Sequence, residues 1–361
     1  MTQPLSPPPR PSFAADLRDA IAPRTVLLVT GVLLLQLGFI LSYIGAFHAP
    51  APHRIPVVIT APAQIAPRAA AELNQLPGDP VHATTAPTQE AALRQVTSGT
   101  TSAALVVNPA GTTDHLYVAS GGGAAVVTAV QALAARAEAA QHRHLTVTDL
   151  VPLQKGDARG LTGFYLVTGW LVGGYLVAAL LGVAKGARPA TTRRAVIRLA
   201  ATVPYAIASG LGGALIVGPV LGALNGHFMA LWWLGALLVL SAATVTMAFQ
   251  VLFGVVGIGV TVLLFVVLGN PSAGGAYQAS LLPPLWRALS SALPNGAGTD
   301  AVRRIVYFGA QGITGHLTLI VVYIAAGTIV TLATSAARQR KARSRPSVTD
   351  RQEPGNRVST S

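Results

Sequence analysis

Residues 228–269 read FMALWWLGALLVLSAATVTMAFQVLFGVVGIGVTVLLFVVLG, a run of 42 residues without a charged side chain. One α-helix of this length would extend about 63 Å at 1.5 Å per residue, roughly twice the hydrocarbon thickness of a bilayer. The run therefore predicts two successive membrane-spanning helices. No basic residue marks the turn between them, which we place near residues 249–253.

Four further uncharged, apolar runs lie outside this stretch. They cover residues 25–47, 161–184, 199–222 and 317–336. With 52% hydrophobic and 10% charged residues, the chain is too apolar for an ordinary soluble domain. The sequence thus predicts a polytopic α-helical membrane protein with six transmembrane helices. The first run could instead be a cleavable signal ending near Ala49-Pro50-Ala51, although it exceeds the usual signal core of about 7–15 residues.

Basic residues gather at the ends of these runs. They are Arg10, Arg18 and Arg24 before the first, Lys185, Arg188, Arg193, Arg194 and Arg198 before the third, and Arg338, Arg340, Lys341, Arg343 and Arg345 after the last. Because short cytoplasmic segments are enriched in Lys and Arg, both termini are predicted to be cytoplasmic. The net charge of +13 is then explained by topology and not by nucleic-acid binding. The excess of Arg over Lys, together with abundant Ala and Gly, is typical of a GC-rich bacterial genome. In a bacterium the predicted location is the plasma membrane, with both termini in the cytoplasm.

Residues 48–160 are numerous enough for a small folded domain. Predicted strands cover 56–60, 81–86, 103–108, 115–120 and 145–150, and predicted helices cover 66–75, 88–98 and 124–143. The order β-α-β-α-β-β-α-β indicates a small extracytoplasmic α/β domain between the first and second transmembrane helices.

The two terminal segments are predicted to be cytoplasmic. Residues 1–24 contain a Pro-rich tail followed by Phe13, Leu17 and Ile21, which recur every four residues and suit a helix on the membrane surface. A simple extension of the first span is the alternative. Residues 337–361 are predicted to be a basic, disordered tail.

The segment 270–316 is unusually apolar for an external loop. Pro283, Pro284, Trp286, Arg287 and Pro294 indicate a short helical or re-entrant element that could act as an external gate. A plain interfacial anchor built on Trp286 is the alternative.

Small residues recur where helices would touch. Helix packing is predicted at Gly169, Gly173, Gly174, Gly218 and Gly222, because small residues spaced four apart let helix backbones approach closely.

Several kinds of chemistry are missing from the sequence. The chain has no Cys, no Walker motif and no GxSxG nucleophile, so neither catalysis nor a cofactor or metal site is predicted. No Asp or Glu occurs from residue 158 to 299, so the spans lack an evident proton-coupling carboxylate. Transport by this chain would therefore draw energy from another subunit.

The best candidate for contact with such a subunit is the helix start at 191–198. Thr191 or Thr192 could cap a helical turn, and Arg194 and Arg198, four residues apart, would share one face beside Arg193. These arginines are candidate ATPase-coupling residues. The alternative is that they serve as positive-inside topology signals.

The layout of one span, an external α/β domain, five more spans and an apolar element before the last resembles ABC transporter permeases of the type-2 exporter class. Local sequence resembles the phage-infection-protein (Pip) branch at DARGL, residues 157–161, and at LPPLW and LPNGA, residues 282–286 and 293–297. The resemblance covers residues 12–336, with an external domain shorter than in the large Pip proteins.

The resemblance implies a permease subunit that exports an amphipathic or envelope-related substrate. It also implies two partners, namely a separate ATP-binding subunit that holds the ATP and a second permease half, in a homodimer or a heterodimer. The rival hypothesis is a non-transporting envelope protein whose external domain binds a partner or ligand.

Overall fold

The computed structural model describes residues 23–189 and 191–343. The chain begins there with helix α1 (Pro23–Phe47), passes through a sheet domain, and ends in a bundle of helices. The predicted surface helix with Phe13, Leu17 and Ile21 lies outside the described residues.

The sheet domain contains five strands and three helices. They are β1 (Ile55–Thr60), α2 (Ala66–Asn74), β2 (Val81–Thr85), α3 (Gln89–Thr97), β3 (Ala103–Val106), β4 (Thr113–Val118), α4 (Ala124–Ala140) and β5 (His144–Asp149). The strand order is β2-β1-β3-β4-β5, with β3 and β4 antiparallel and the other neighbours parallel. The predicted order of strands and helices is confirmed.

Helices cover both faces of this sheet. Ile55 and Val57 of β1 are buried with Val130 of α4, whereas Val58 is buried on the opposite face with Ala92 of α3. This division follows from the two-residue period of a strand, which sends alternate side chains to opposite faces.

Helix α4 ends earlier than the sequence predicts. It stops at Ala140 instead of residue 143, because His142 takes a left-handed φ of 55° and turns the chain. Arg143 is then directed back to Asp114, with Nε to Oδ2 at 2.8 Å.

The bundle follows the sheet domain in the chain. Its helices are α5 (Thr162–Lys185), α6 (Thr192–Leu215, continued by the π-helical Ile216–Val220), α7 (Phe228–Phe253), α8 (Val256–Ser272), α9 (Pro284–Ala292), α10 (Pro294–Tyr307) and α11 (Thr314–Arg343). Among the residues that the structure describes, five helices, namely α1, α5, α6, α7 and α11, are long and apolar enough to cross a membrane. Helix α7 forms the centre and packs against α5, α6 and α11.

The turn inside the long uncharged run lies where the sequence places it, to within a residue. Helix α7 ends at Phe253, and Gly254, with φ of 69°, provides the left-handed turn before α8. Helix α8 contains 17 residues, with a π-helical part at Leu263–Leu268. It is therefore shorter than the predicted full-length fifth span.

Helix α6 begins at Thr192, before the apolar run that starts at residue 199, and Thr191 Oγ1 accepts from Arg194 N, so the predicted cap at the helix start is present. The predicted boundary of the C-terminal tail is wrong. Helix α11 continues to Arg343, so residues 337–343 are helical and not part of a disordered tail. The segment 270–316 is largely helical, since it holds α9 and α10.

The bundle has two chemically different ends. At one end, Arg188 Nη2 donates to Leu252 O at 3.2 Å and Thr192 N donates to Gln339 Oε1 at 2.9 Å. We call this the arginine end, defined by Arg188, Arg193, Arg194, Arg198, Arg338 and Arg340. Successive long helices run antiparallel, so the sheet domain and the segment that leads from it into α5 lie at the opposite, sheet end.

Candidate functional site

Helices α9 and α10 form a hairpin between α8 and α11. Each helix begins with a proline, Pro284 and Pro294, and Pro283 and Leu293 before them are extended. Proline suits these positions because its fixed φ fits the first helical turn and its missing N–H is not needed there.

The hairpin enters the bundle and returns to the sheet end. Near its corner, Tyr323 of α11 donates to Ala292 O at 2.9 Å and Asn295 Nδ2 donates to Phe265 O at 3.0 Å. Helix α10 then rises to Tyr307 at the sheet end, about 21 Å at 1.5 Å per residue. Most of α10 is buried, although its sequence is polar.

Asn295 compensates for an irregularity in α8. The π-helical Leu263–Leu268 changes the regular hydrogen-bonding pattern, and the Asn295 side chain binds Phe265 O there and Asn270 Oδ1 at 3.0 Å. A side chain at Gly269 would clash with Asn295, so the glycine makes room for it. Asn295 belongs to the LPNGA motif at residues 293–297, but no local sequence pattern indicates this contact.

Trp286 joins the hairpin to α1. Its ring lies 3.0 Å from where a Cβ on Gly45 would be, and Ser42 of α1 donates to Val267 O at 2.5 Å. Trp286 Nε1 lies 3.4 Å from Ser42 Oγ. Trp286 is therefore half-buried against α1, which favours a structural contact over a plain interfacial anchor.

Arg287 is fixed at the start of the hairpin. Its Nη2 donates to Leu282 O at 2.9 Å. Within the described part of the chain, its buried Nε has no hydrogen-bond partner. The five predicted gate residues thus lie together on one hairpin, at its start and its corner.

Asp157 and Tyr307 connect the sheet end of the hairpin to α5. Asp157 is 4% exposed and accepts from Thr162 N at 2.9 Å and from Tyr307 Oη at 2.7 Å. Burial and the hydrogen bond to Asp157 raise the pKa of the Tyr307 phenol. This pair was missed by sequence reasoning, because the two residues lie 150 positions apart.

The sheet domain rests on the same end of α10. A side chain at Gly121 would meet the Tyr307 ring, and one at Gly99 would lie 3.0 Å from Phe308. Phe308 is buried against Val58 and Val96 of the sheet domain. The hairpin therefore touches both the bundle core and the sheet domain.

The candidate coupling arginines do not form one surface. Arg193 and Arg194 are exposed on the first turn of α6. Arg198 is half-buried and donates from Nη1 to Gly186 O at 2.8 Å, which fixes the loop before α6. Thr192 holds the helix start to α11 through Gln339.

Two of the five predicted packing glycines make close contacts. Gly174 is a close-packing site, because a Cβ there would clash with Val239 O of α7. A Cβ on Gly173 would lie 3.2 Å from Tyr205 Oη.

The other three glycines make no close contact with a neighbouring helix within the described residues. A Cβ on Gly169 would meet no described atom within 4 Å, and one on Gly218 would lie a loose 3.7 Å from Leu224 O. Gly222 lies after the π-helical end of α6 with φ of 61°, so it is a turn residue.

The sheet domain contains a buried ion cluster that sequence reasoning missed. Asp114 and Glu138 are 1% and 7% exposed, and Arg143 lies between them. Burial, followed by contact with Asp114, raises the pKa of Glu138 to about 7. Hydrogen bonds from Arg143 and Asn108 hold the pKa of Asp114 below its usual value despite burial.

Across residues 23–189 and 191–343, no group of three or more His, Cys, Asp or Glu side chains is placed to hold a metal ion. Comparison of the chain with protein-family models, curated proteins and solved structures finds no match.

Proposed function

We propose that this protein is the membrane-spanning permease subunit of an ABC-type exporter of the type-2 class. In this proposal it moves an amphipathic or envelope-related substrate, using ATP hydrolysed on a separate subunit. A second permease half, identical or different, completes the assembly in the bacterial plasma membrane.

The observation that carries the proposal is the contrast between the two ends of the bundle. One end presents Arg193 and Arg194 on a capped helix start that is held to α11 by Gln339. The other end holds a helical hairpin whose second helix, α10, is mostly buried and contacts the sheet domain. A permease needs a rigid surface for its ATPase on one side and a closing element on the other.

The proposal requires α8 to be a sixth span. Its 17 residues extend about 25 Å, somewhat less than an average hydrocarbon core of about 30 Å. A short span is accommodated by local thinning of the bilayer at a modest cost. With α8 as a span, both chain ends lie in the cytoplasm and the hairpin is re-entrant from outside.

The topology is testable by cysteine labelling, because the chain contains no Cys. Ala110 is exposed in the sheet domain and Ala342 is exposed at the arginine end. We expect an impermeant thiol reagent to label Ala110→Cys in intact cells. The same reagent should label Ala342→Cys only after the cells are permeabilised. The reverse pattern would refute the orientation.

Coupling is tested with the double variant Arg193→Gln, Arg194→Gln. Both side chains are exposed, and Lys185, Arg188 and Arg198 remain as orientation signals. We expect correct insertion with reduced recovery of a co-purifying ATPase and reduced stimulation of its ATP hydrolysis.

The matched control is Arg68→Gln, Arg94→Gln, which removes two exposed charges from the sheet domain instead. Normal ATPase recovery in both double variants would leave Arg193 and Arg194 as topology signals. Failure to recover any ATPase with the wild-type chain, together with capture of an extracytoplasmic partner, would favour the rival envelope-protein hypothesis.

A further inference from the structure

A cavity of about 260 Å³ lies where the sheet domain meets α10. The sheet domain contributes Thr101, Gly123 and Val127 to its wall, and the bundle contributes Gln278 and Arg304. The cavity is separate from the arginine end, where we propose the ATPase contact.

One wall is the N-terminus of α4, a helix of 17 residues. Val126 N already donates to Gln278 Oε1 at 3.3 Å, so an oxygen acceptor from the bundle occupies this position. Gly123 permits this approach, because a side chain there would clash with Gln278. The partial positive charge of a helix N-terminus favours an anion at such a place.

A second wall carries guanidinium groups. Arg303 is 6% exposed, and its Nη1 lies 3.2 Å from Asp300 Oδ1 while its Nη2 binds Gly274 O. Arg304 donates from Nη1 to Gln311 O at 2.9 Å. Among the described residues that line the cavity, Asp300 is the carboxylate, so the two arginines leave one positive charge in excess.

An unpartnered hydroxyl provides an independent sign of a ligand. Thr101 is 7% exposed and lines the cavity, and within the described residues its Oγ1 has no hydrogen-bond partner. A buried polar group without a partner is destabilising unless a ligand or water binds it.

The remaining wall is apolar. Val126, Val127 and Phe308 line it. A ligand that fills the cavity would therefore place an anionic group near Arg304 and Thr101 and a short apolar group against this wall.

We propose that this cavity binds a phosphate ester that carries a short apolar group. Arginine, hydroxyl and helix N-terminus are groups that recognise phosphate oxygens. The same chemistry occurs in a lipid headgroup and in a free solute. The inference does not depend on the export proposal, because binding is measured without an ATPase.

The test uses the purified full chain in a neutral maltoside detergent. Butyl phosphate and inorganic phosphate are titrated separately by isothermal calorimetry. We expect saturable binding of both, several-fold tighter for butyl phosphate because its chain contacts the apolar wall.

Two cavity variants and one control decide whether this is the site. Arg304→Gln is expected to weaken butyl phosphate binding roughly tenfold or more, since it removes a charged donor. Thr101→Val keeps the side-chain shape and removes the unpartnered hydroxyl, so we expect several-fold weaker binding with unchanged thermal unfolding. Arg94→Gln, an exposed charge outside the cavity, should bind as the wild type does.

No saturable binding of butyl phosphate to the wild type would overturn the proposal. Equal binding by the wild type and a folded Thr101→Val variant would overturn it as well, even where Arg304→Gln fails to fold. To separate the two sources, the titration is repeated in nanodiscs that contain phosphatidylglycerol. A weaker apparent affinity there supports a lipid headgroup as ligand, and an unchanged affinity supports a free solute.

Discussion

Glu138 makes the stability of the sheet domain depend on pH. Its side chain is 8% exposed and Oε2 lies 3.5 Å from Arg143 Nε, while Asp114 takes the closer contacts with the same guanidinium. Burial, and then the neighbouring Asp114, raise the pKa of Glu138 from 4.5 to about 7. The protonated acid is therefore favoured in the folded protein.

The sign of the effect follows from proton linkage. A carboxyl whose pKa is raised on folding contributes stability that is fully present below pH 4.5 and is lost as the pH rises through about 7. At about 1.4 kcal/mol per pKa unit, a rise of about 2.5 units corresponds to a loss of at most about 3.5 kcal/mol. The lowered pKa of Asp114 acts in the opposite sense and in a different window, because its contribution is lost as the pH falls below 3.8.

Replacing Glu138 with Gln should remove this dependence. Glutamine is neutral at every pH and has the shape of the protonated acid. Glu138→Gln should therefore stabilise the domain at pH 8 by up to about 3.5 kcal/mol and leave it unchanged near pH 4. Hydrogen exchange of the α4 and β5 amides in the full chain, corrected for intrinsic rates, measures this. Glu72→Gln, at an exposed position, is the matched control.

Two results would refute the reasoning. One is equal corrected protection of the wild-type α4 amides at pH 5 and pH 8. The other is lower protection in Glu138→Gln than in the wild type at pH 8.

Two further predictions concern the bundle, and both are checked by thermal unfolding of the full chain in detergent. Gly174→Ala should destabilise it by about 1–3 kcal/mol through overpacking, whereas Gly169→Ala, in open space, should change stability little; equal effects would contradict the packing assignment. Tyr307→Phe should lower the free energy of unfolding by about 1–3 kcal/mol, because buried Asp157 loses the hydroxyl 2.7 Å away. The control Tyr117→Phe removes an exposed hydrogen bond and should lower it by less than 1 kcal/mol, about the size of an ordinary surface effect. A neutral Tyr307→Phe would show that the pair does not stabilise the sheet end.

The sequence by itself determined the features that depend on local pattern. Long uncharged runs identified the apolar helices and the turn after Phe253, because hydrophobic length is a property of consecutive residues. The strands were found from β-branched and alternating residues, and the Thr191 cap from its position before a helix. These signals lie within a few residues of the structure they specify.

Tertiary structure alone decided how distant segments meet. Asn295 reaches a carbonyl in the π-helical part of α8, and Tyr307 reaches Asp157, across 30 and 150 positions of sequence. Gly174 packs tightly while Gly169, five residues earlier on α5, faces open space, although the sequence predicts helix packing at both. Periodicity gives the face of a helix but not the neighbour that covers it, because the neighbour is chosen by packing over the whole bundle.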